Sequence, residues 1–106
     1  ELYAGRKNDF WMSPGYGDED CLRVNVFWFH KWKGTPADEF YPRIWKLLQD
    51  LGFRTHFGKW LPGPSPEWAA YHRARYPKLG AFLAKRITLD PHDVFLTDYW
   101  RAHLGV

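Results

Sequence analysis

Cys21-Leu22-Arg23-Val24-Asn25-Val26-Phe27-Trp28-Phe29-His30-Lys31-Trp32 alternates as a strand does. Leu22, Val24, Val26 and Trp28 fall on one face, and Arg23, Asn25, Phe27, Phe29 and Lys31 on the other. Successive strand side chains point to opposite sides, so the spacing predicts one wholly apolar face. The other face mixes phenylalanine with polar residues, as in a sheet whose second side is half covered or lines a cavity. Upstream, Phe10 to Ser13 reads as a short extended segment stopped by Pro14, and Gly15-Tyr16-Gly17-Asp18 supplies turn chemistry.

Downstream, Thr35-Pro36-Ala37-Asp38 is a helix start, with a hydroxyl at the cap, proline at the first helical position and a carboxylate in the first turn. Phe40, Ile44, Leu47, Leu48 and Leu51 keep helical spacing, and Gly52 is a natural end. Pro42 either kinks the first turns or delays the regular helix to about Tyr41. Phe53 to Phe57 then reads as a strand returning beside the first, ended by Gly58-Lys59. Leu61-Pro62-Gly63-Pro64-Ser65-Pro66 excludes regular structure. Ser65 caps a helix to about Arg75, Tyr76-Pro77 separates it from another whose apolar positions are Leu79, Phe82 and Leu83, and Asp90-Pro91-His92-Asp93 turns into a short closing helix ended by Gly105. The expected class is α+β: a small antiparallel sheet covered by helices, with a helical carboxy-terminal tail. Residues 1–60 hold the sheet and one helix, and 61–106 the tail.

With 106 residues, 45% of them hydrophobic, the chain is one domain at most, and its apolar content offsets the entropy of folding. Aromatic residues make up 20%, more than so small a core buries, which points to a partner surface or pocket. The lone Cys21 excludes an intrachain disulfide and any multi-cysteine zinc site, and His30, His72, His92 and His103 lack ligand spacing, so no metal is expected. No apolar run approaches the roughly 20 residues that span a bilayer. Arg54, Lys59, Arg73, Arg75, Lys78, Lys85 and Arg86 face a single acid, Glu67, over residues 54–86, which makes that stretch locally cationic.

His56-Phe57-Gly58-Lys59, followed by Tyr76-Pro77, Phe82, Arg86, Leu89-Asp90-Pro91, Phe95-Leu96, Tyr99 and Leu104-Gly105, resembles the end of the aldonolactone oxidase family. These are flavoenzymes of the vanillyl-alcohol oxidase type, among them gulonolactone, arabinonolactone and alditol oxidases. The family tetrapeptide usually reads His-Trp-Gly-Lys, so Phe57 is an aromatic departure. Upstream, Trp11-Met12-Ser13-Pro14 with Tyr16-Gly17 is similar to the family's Leu-Ser-Pro segment. Glu1 falls where a Glu-x-Arg pair would start, and Tyr3 stands in the arginine's place.

The resemblance covers essentially this whole chain and the last quarter to third of a family member. It implies a carboxy-terminal cap fragment, inactive alone, whose parent uses FAD to oxidise a hydroxyl of a sugar, polyol or aldonolactone by hydride transfer. The partner it implies is the parent's amino-terminal FAD-binding domain, which Phe95 and Tyr99 would anchor. The expected location is cytoplasmic, with peripheral membrane association of the parent left open.

Alcohol oxidation by flavin moves a hydride to the isoalloxazine N5 while a hydroxyl proton is lost, so a cation must meet the developing alkoxide. The resemblance makes Lys59 that cation. It also makes Gly58 a point of close backbone approach and Glu1 an acceptor for substrate hydroxyls, while His56 can donate a hydrogen bond to flavin or substrate or act as a proton acceptor near neutral pH. Strand alternation would put His56 and Gly58 opposite Phe57 and Lys59, so one pocket receives His56 and Lys59 only if the strand twists or ends there. Tyr3 can donate one hydrogen bond to substrate but lacks arginine's permanent charge. Two other classes stay open: a basic nucleic-acid module stacking bases on Tyr71, Tyr76 and Phe82, and a protein-interaction domain without catalysis. Helix-packing intervals among those rings favour core, so no nucleic acid is expected.

Overall fold

The computed structural model describes residues 1–106 and contains a two-stranded antiparallel sheet, β1 (Leu2–Gly5) with β2 (Cys21–Val24), and four α-helices. The helices are α1 (Tyr41–Gln49), α2 (Pro66–Arg75), α3 (Leu79–Leu89) and α4 (Asp98–Leu104). The class is α+β, as the residue pattern predicts. Two compact units divide the chain, Glu1–Pro62 and Gly63–Val106.

In the first unit the sheet partner differs from expectation. β1 pairs with β2 in the register Leu2↔Val24, Tyr3↔Arg23, Ala4↔Leu22 and Gly5↔Cys21. Regular pairing stops at Val24, and Phe53 to Phe57 forms no strand. Residues after Asn25 have no strand opposite them in this chain, and alternation without a ladder leaves backbone groups unpaired. Leu2, Leu22 and Val24, on the apolar face, are all exposed.

Phe10 to Ser13 is a turn, not an extended segment, because Asn8 organises it. The Asn8 backbone N–H donates to Gly15 O at 2.9 Å and its carbonyl accepts from Gly17 N at 3.2 Å. Its side-chain amide donates to Ser13 Oγ at 3.0 Å while Oδ1 accepts from Phe10 N at 3.1 Å.

Pro42 acts as anticipated. A π-helical turn, Pro36–Phe40, precedes α1, and Tyr41 N–H donates to Pro36 O five residues back. This places Pro42 in the first turn of α1, where its missing N–H leaves no gap in the ladder. Thr35 bonds the Asp38 carboxylate through its hydroxyl at 2.9 Å and does not cap a backbone N–H. Tyr41 stacks on Trp45, the buried residue of α1, at a ring separation of 5.9 Å.

The second unit follows its local signals closely. Ser65 Oγ accepts from Trp68 N at 3.2 Å to cap α2, and Tyr76, at its end, is buried with Leu79. Gly105 takes φ 68°, a left-handed value suited to glycine, and a Cβ there would lie 3.0 Å from the Ala69 Cβ. α4 therefore ends hard against α2. Arg73 on α2 donates to the carbonyls of Leu104 and Gly105 at 3.2 and 3.4 Å, satisfying the end of α4 with a cation. Asp93, at φ 55°, joins Arg86 of α3 to Arg101 of α4 at 2.5 and 2.6 Å. Those two guanidiniums, Arg101 foremost, hold its carboxyl below the ordinary carboxylate range.

His72 on α2 is buried with His103 of α4 in the same unit. Desolvation first, and His103 second, holds the His72 imidazole below the ordinary histidine value. The unfolded chain therefore takes up the proton first as pH falls through about 6.5. Stability of this unit is complete above that value and declines below it until the folded pKa is reached. Thermal melts of the 1–106 chain are expected to show a lower midpoint at pH 5.5 than at pH 7.5, with part of the difference removed by His72→Gln. An unchanged pH dependence in that variant would assign the effect elsewhere.

Candidate functional site

His56, Gly58 and Lys59 lie together on one exposed turn, not on a strand. Lys59 N–H donates to His56 O at 2.9 Å, closing the turn, and Gly58 N–H donates to His56 Nδ1 at 3.0 Å. The second bond uses the Nδ1 lone pair, so in the neutral ring the hydrogen sits on Nε2, which becomes the free donor. A Cβ on Gly58 would come within 3.1 Å of His56 Cε1, so a side chain at residue 58 would make the ring give by a few tenths of an ångström. The alternation that would have separated His56 from Lys59 does not apply, because the segment turns. Arg54, two residues upstream, donates to Pro14 O at 3.3 Å and to Tyr16 O, tying this segment to the loop that Asn8 organises.

Glu1 and Tyr3 form a second group at the start of the hairpin. The Tyr3 hydroxyl donates to Glu1 Oε2, and this bond is the first cause of a raised phenol pKa. No hydrogen bond or ion pair joins this group to the His56–Lys59 turn. Each group is assembled by its own local hydrogen bonds.

Exposed rings, which the composition foresees, occur in both units. Phe10, Phe27, Phe29, Trp32, Trp60 and Phe95 are all exposed, Phe95 to 80%. Trp60, directly after Lys59, stacks on Tyr41 at 6.0 Å and keeps 58% of its surface open. Sequence reasoning passed over this ring, although its place beside Lys59 was visible. Of the three rings that the nucleic-acid alternative requires, Tyr76 is only 1% exposed and offers no face to a base. An open groove of about 1000 Å³ between α2 and α4, lined by Ala69, Ala70 and Ala102, contains none of the expected site residues. No helix is long and apolar enough to cross a membrane.

The family model described as D-arabinono-1,4-lactone oxidase matches residues 1–103. Two curated relatives, both named L-gulono-1,4-lactone dehydrogenase, come from Mycobacterium tuberculosis strains CDC 1551 / Oshkosh and ATCC 25618 / H37Rv. Each is 33% identical over 105 residues, which is 99% of this chain. The chain spans 23% of the length of each relative. No solved structure matches it. With the family model covering all but the last residues, and the His56–Lys59 turn inside the match, the chain belongs to the D-arabinono-1,4-lactone oxidase family.

Proposed function

We propose that this chain is the carboxy-terminal part of a FAD-dependent oxidoreductase that oxidises a hydroxyl group of a sugar, polyol or aldonolactone. The observation that carries the reading is the exposed turn on which a ring N–H, a glycine and an ammonium group stand within four residues. Such a set suits the edge of a planar, electron-accepting ring and a hydroxyl beside it. The chain's glycines include no phosphate-cradling loop, so the donor set fits the ring end of the dinucleotide and not its diphosphate. That part of the cofactor falls to an amino-terminal FAD-binding domain of the same protein. The bare flank of Phe95, Val94 and Leu89, each more than 70% exposed, favours a partner of this kind.

When bound, FAD supplies the hydride acceptor. Lys59 would stabilise the alkoxide charge that develops as the hydroxyl proton passes to solvent water, the Nε2–H of His56 would donate to the ring or to a substrate oxygen, and Gly58 would allow close approach. Glu1 accepts a substrate hydroxyl hydrogen, with Tyr3 steadying the carboxylate through its one O–H, so that the phenol oxygen can only accept from the same ligand and does not donate to it.

The test uses the full-length protein. It is expected to purify yellow with stoichiometric FAD, and anaerobic addition of an aldonolactone should bleach the flavin band. A flavin that no sugar, polyol or lactone reduces would sink the proposal.

A further inference from the structure

One face of the β1–β2 ribbon carries polar groups that the local fold does not use up. Directly opposed residues of an antiparallel pair share a face with Cβ atoms about 5 Å apart, and Tyr3 stands opposite Arg23. Glu1 and Asn25 lie one alternation further along that face, their backbones bonded in both directions at 2.9 Å. Two contacts between side chains set the arrangement: Tyr3 Oη donates to Glu1 Oε2, and Arg23 Nε donates to Asn25 Oδ1 at 3.1 Å.

Glu1 and Arg23 form no ion pair with one another; the pairs among Arg86, Asp90, Asp93 and Arg101 lie elsewhere in the chain. Glu1 and Arg23 are therefore neighbours of opposite charge that are each held by a neutral group and not by one another. Arg23 is close enough for its charge to act on the Tyr3 phenol. Left over are Glu1 Oε1, which can only accept, and the Nη1 and Nη2 groups of Arg23, which can only donate. A ligand that satisfies both must present a hydroxyl hydrogen next to a strong acceptor. A lactone does this, since its carbonyl oxygen has two in-plane lone pairs for a guanidinium fork and its ring hydroxyls lie alongside. An alditol meets the guanidinium only with tetrahedral hydroxyl oxygens, whose lone pairs do not lie together in the plane of the fork.

We propose that Arg23 is a substrate-binding residue that donates to the ring carbonyl of an aldonolactone while Glu1 accepts a hydroxyl hydrogen of the same molecule, so that this face selects lactones over alditols. The inference rests on the proposed function for its ligand class and adds the residue that discriminates within that class.

The experiment is a calorimetric titration of the full-length protein, wild type, Arg23→Gln and Arg23→Lys, with an aldonolactone and with the corresponding alditol. Flavin content checks that each variant is folded. Arg23→Gln is expected to weaken lactone binding by roughly tenfold or more, as loss of a hydrogen bond from a charged donor does. Alditol binding should change less than about threefold, and Arg23→Lys should recover part of the loss, because a lysine restores charge without the fork. Equal weakening for the two ligands, no weakening, or a wild type that binds neither would overturn the assignment. Lactone binding that depends on Arg23 in a protein whose flavin no ligand bleaches would sink the proposed reaction and leave the binding role standing.

Discussion

Lys59→Met in the full-length protein is expected to lower turnover by on the order of 10²-fold with little change in flavin content, since removing one donor that meets developing negative charge has that effect elsewhere. Methionine keeps about the length and the apolar stem of lysine and removes the charge with its N–H donors. Lys59 is exposed on a turn closed by its own backbone N–H, so the side chain carries no visible part of the fold. A loss of turnover with a KM near that of wild type would mark an interaction made mainly in the transition state. A raised KM with unchanged turnover would make Lys59 a substrate anchor, and no change would remove it from the chemistry.

Asp90→Ala is expected to destabilise the 63–106 unit by about 2 kcal/mol, which for a unit of this size lowers the melting midpoint by roughly 10 °C. The Asp90 carboxylate is 8% exposed and accepts from Val94 N at 2.7 Å and from Phe95 N at 3.0 Å, folding the chain between α3 and α4 around one side chain. Alanine leaves both N–H groups to find water, and it also removes the carboxylate lying 3.9 Å from Arg86. Arg86 keeps Asp93 as a partner, which limits the damage. Asp90→Asn retains one acceptor oxygen and should fall between wild type and alanine. Melts of the 1–106 chain decide the matter: an alanine variant as stable as wild type would show that the turn holds without its carboxylate.

What could be read from the residues alone divides along the range of the forces involved. The cap of α2 at Ser65, the break at Tyr76-Pro77 and the end of α4 at Gly105 are written within a few residues of where they act, and each is found where the sequence puts it. Pro42 likewise reports its own exclusion from a helix interior. The strands were less legible. Alternation over 21–32 marks side chains suited to a sheet, but a ladder needs an opposing backbone, and β1, four residues of Leu-Tyr-Ala-Gly, carries no pattern that announces it as the partner. The same limit hid the candidate site's geometry. His56, Gly58 and Lys59 were visible as a motif, but the bond from Gly58 to the His56 ring, which brings the three onto one turn, follows from local hydrogen bonding that period-2 reasoning cannot express. By alternation alone Arg23 is one of the polar residues opposite the apolar face. Only the register, which places it across from Tyr3, shows what it faces.

The central claim is that the Lys59 ammonium meets a substrate hydroxyl beside a bound flavin. A crystal structure of the full-length protein with FAD and an unreactive aldonolactone analogue measures this directly. The account predicts Lys59 Nζ at about 2.7–3.2 Å from the oxygen on the carbon nearest flavin N5. An ammonium pointing to solvent, on the side of the turn away from the ring, would contradict it.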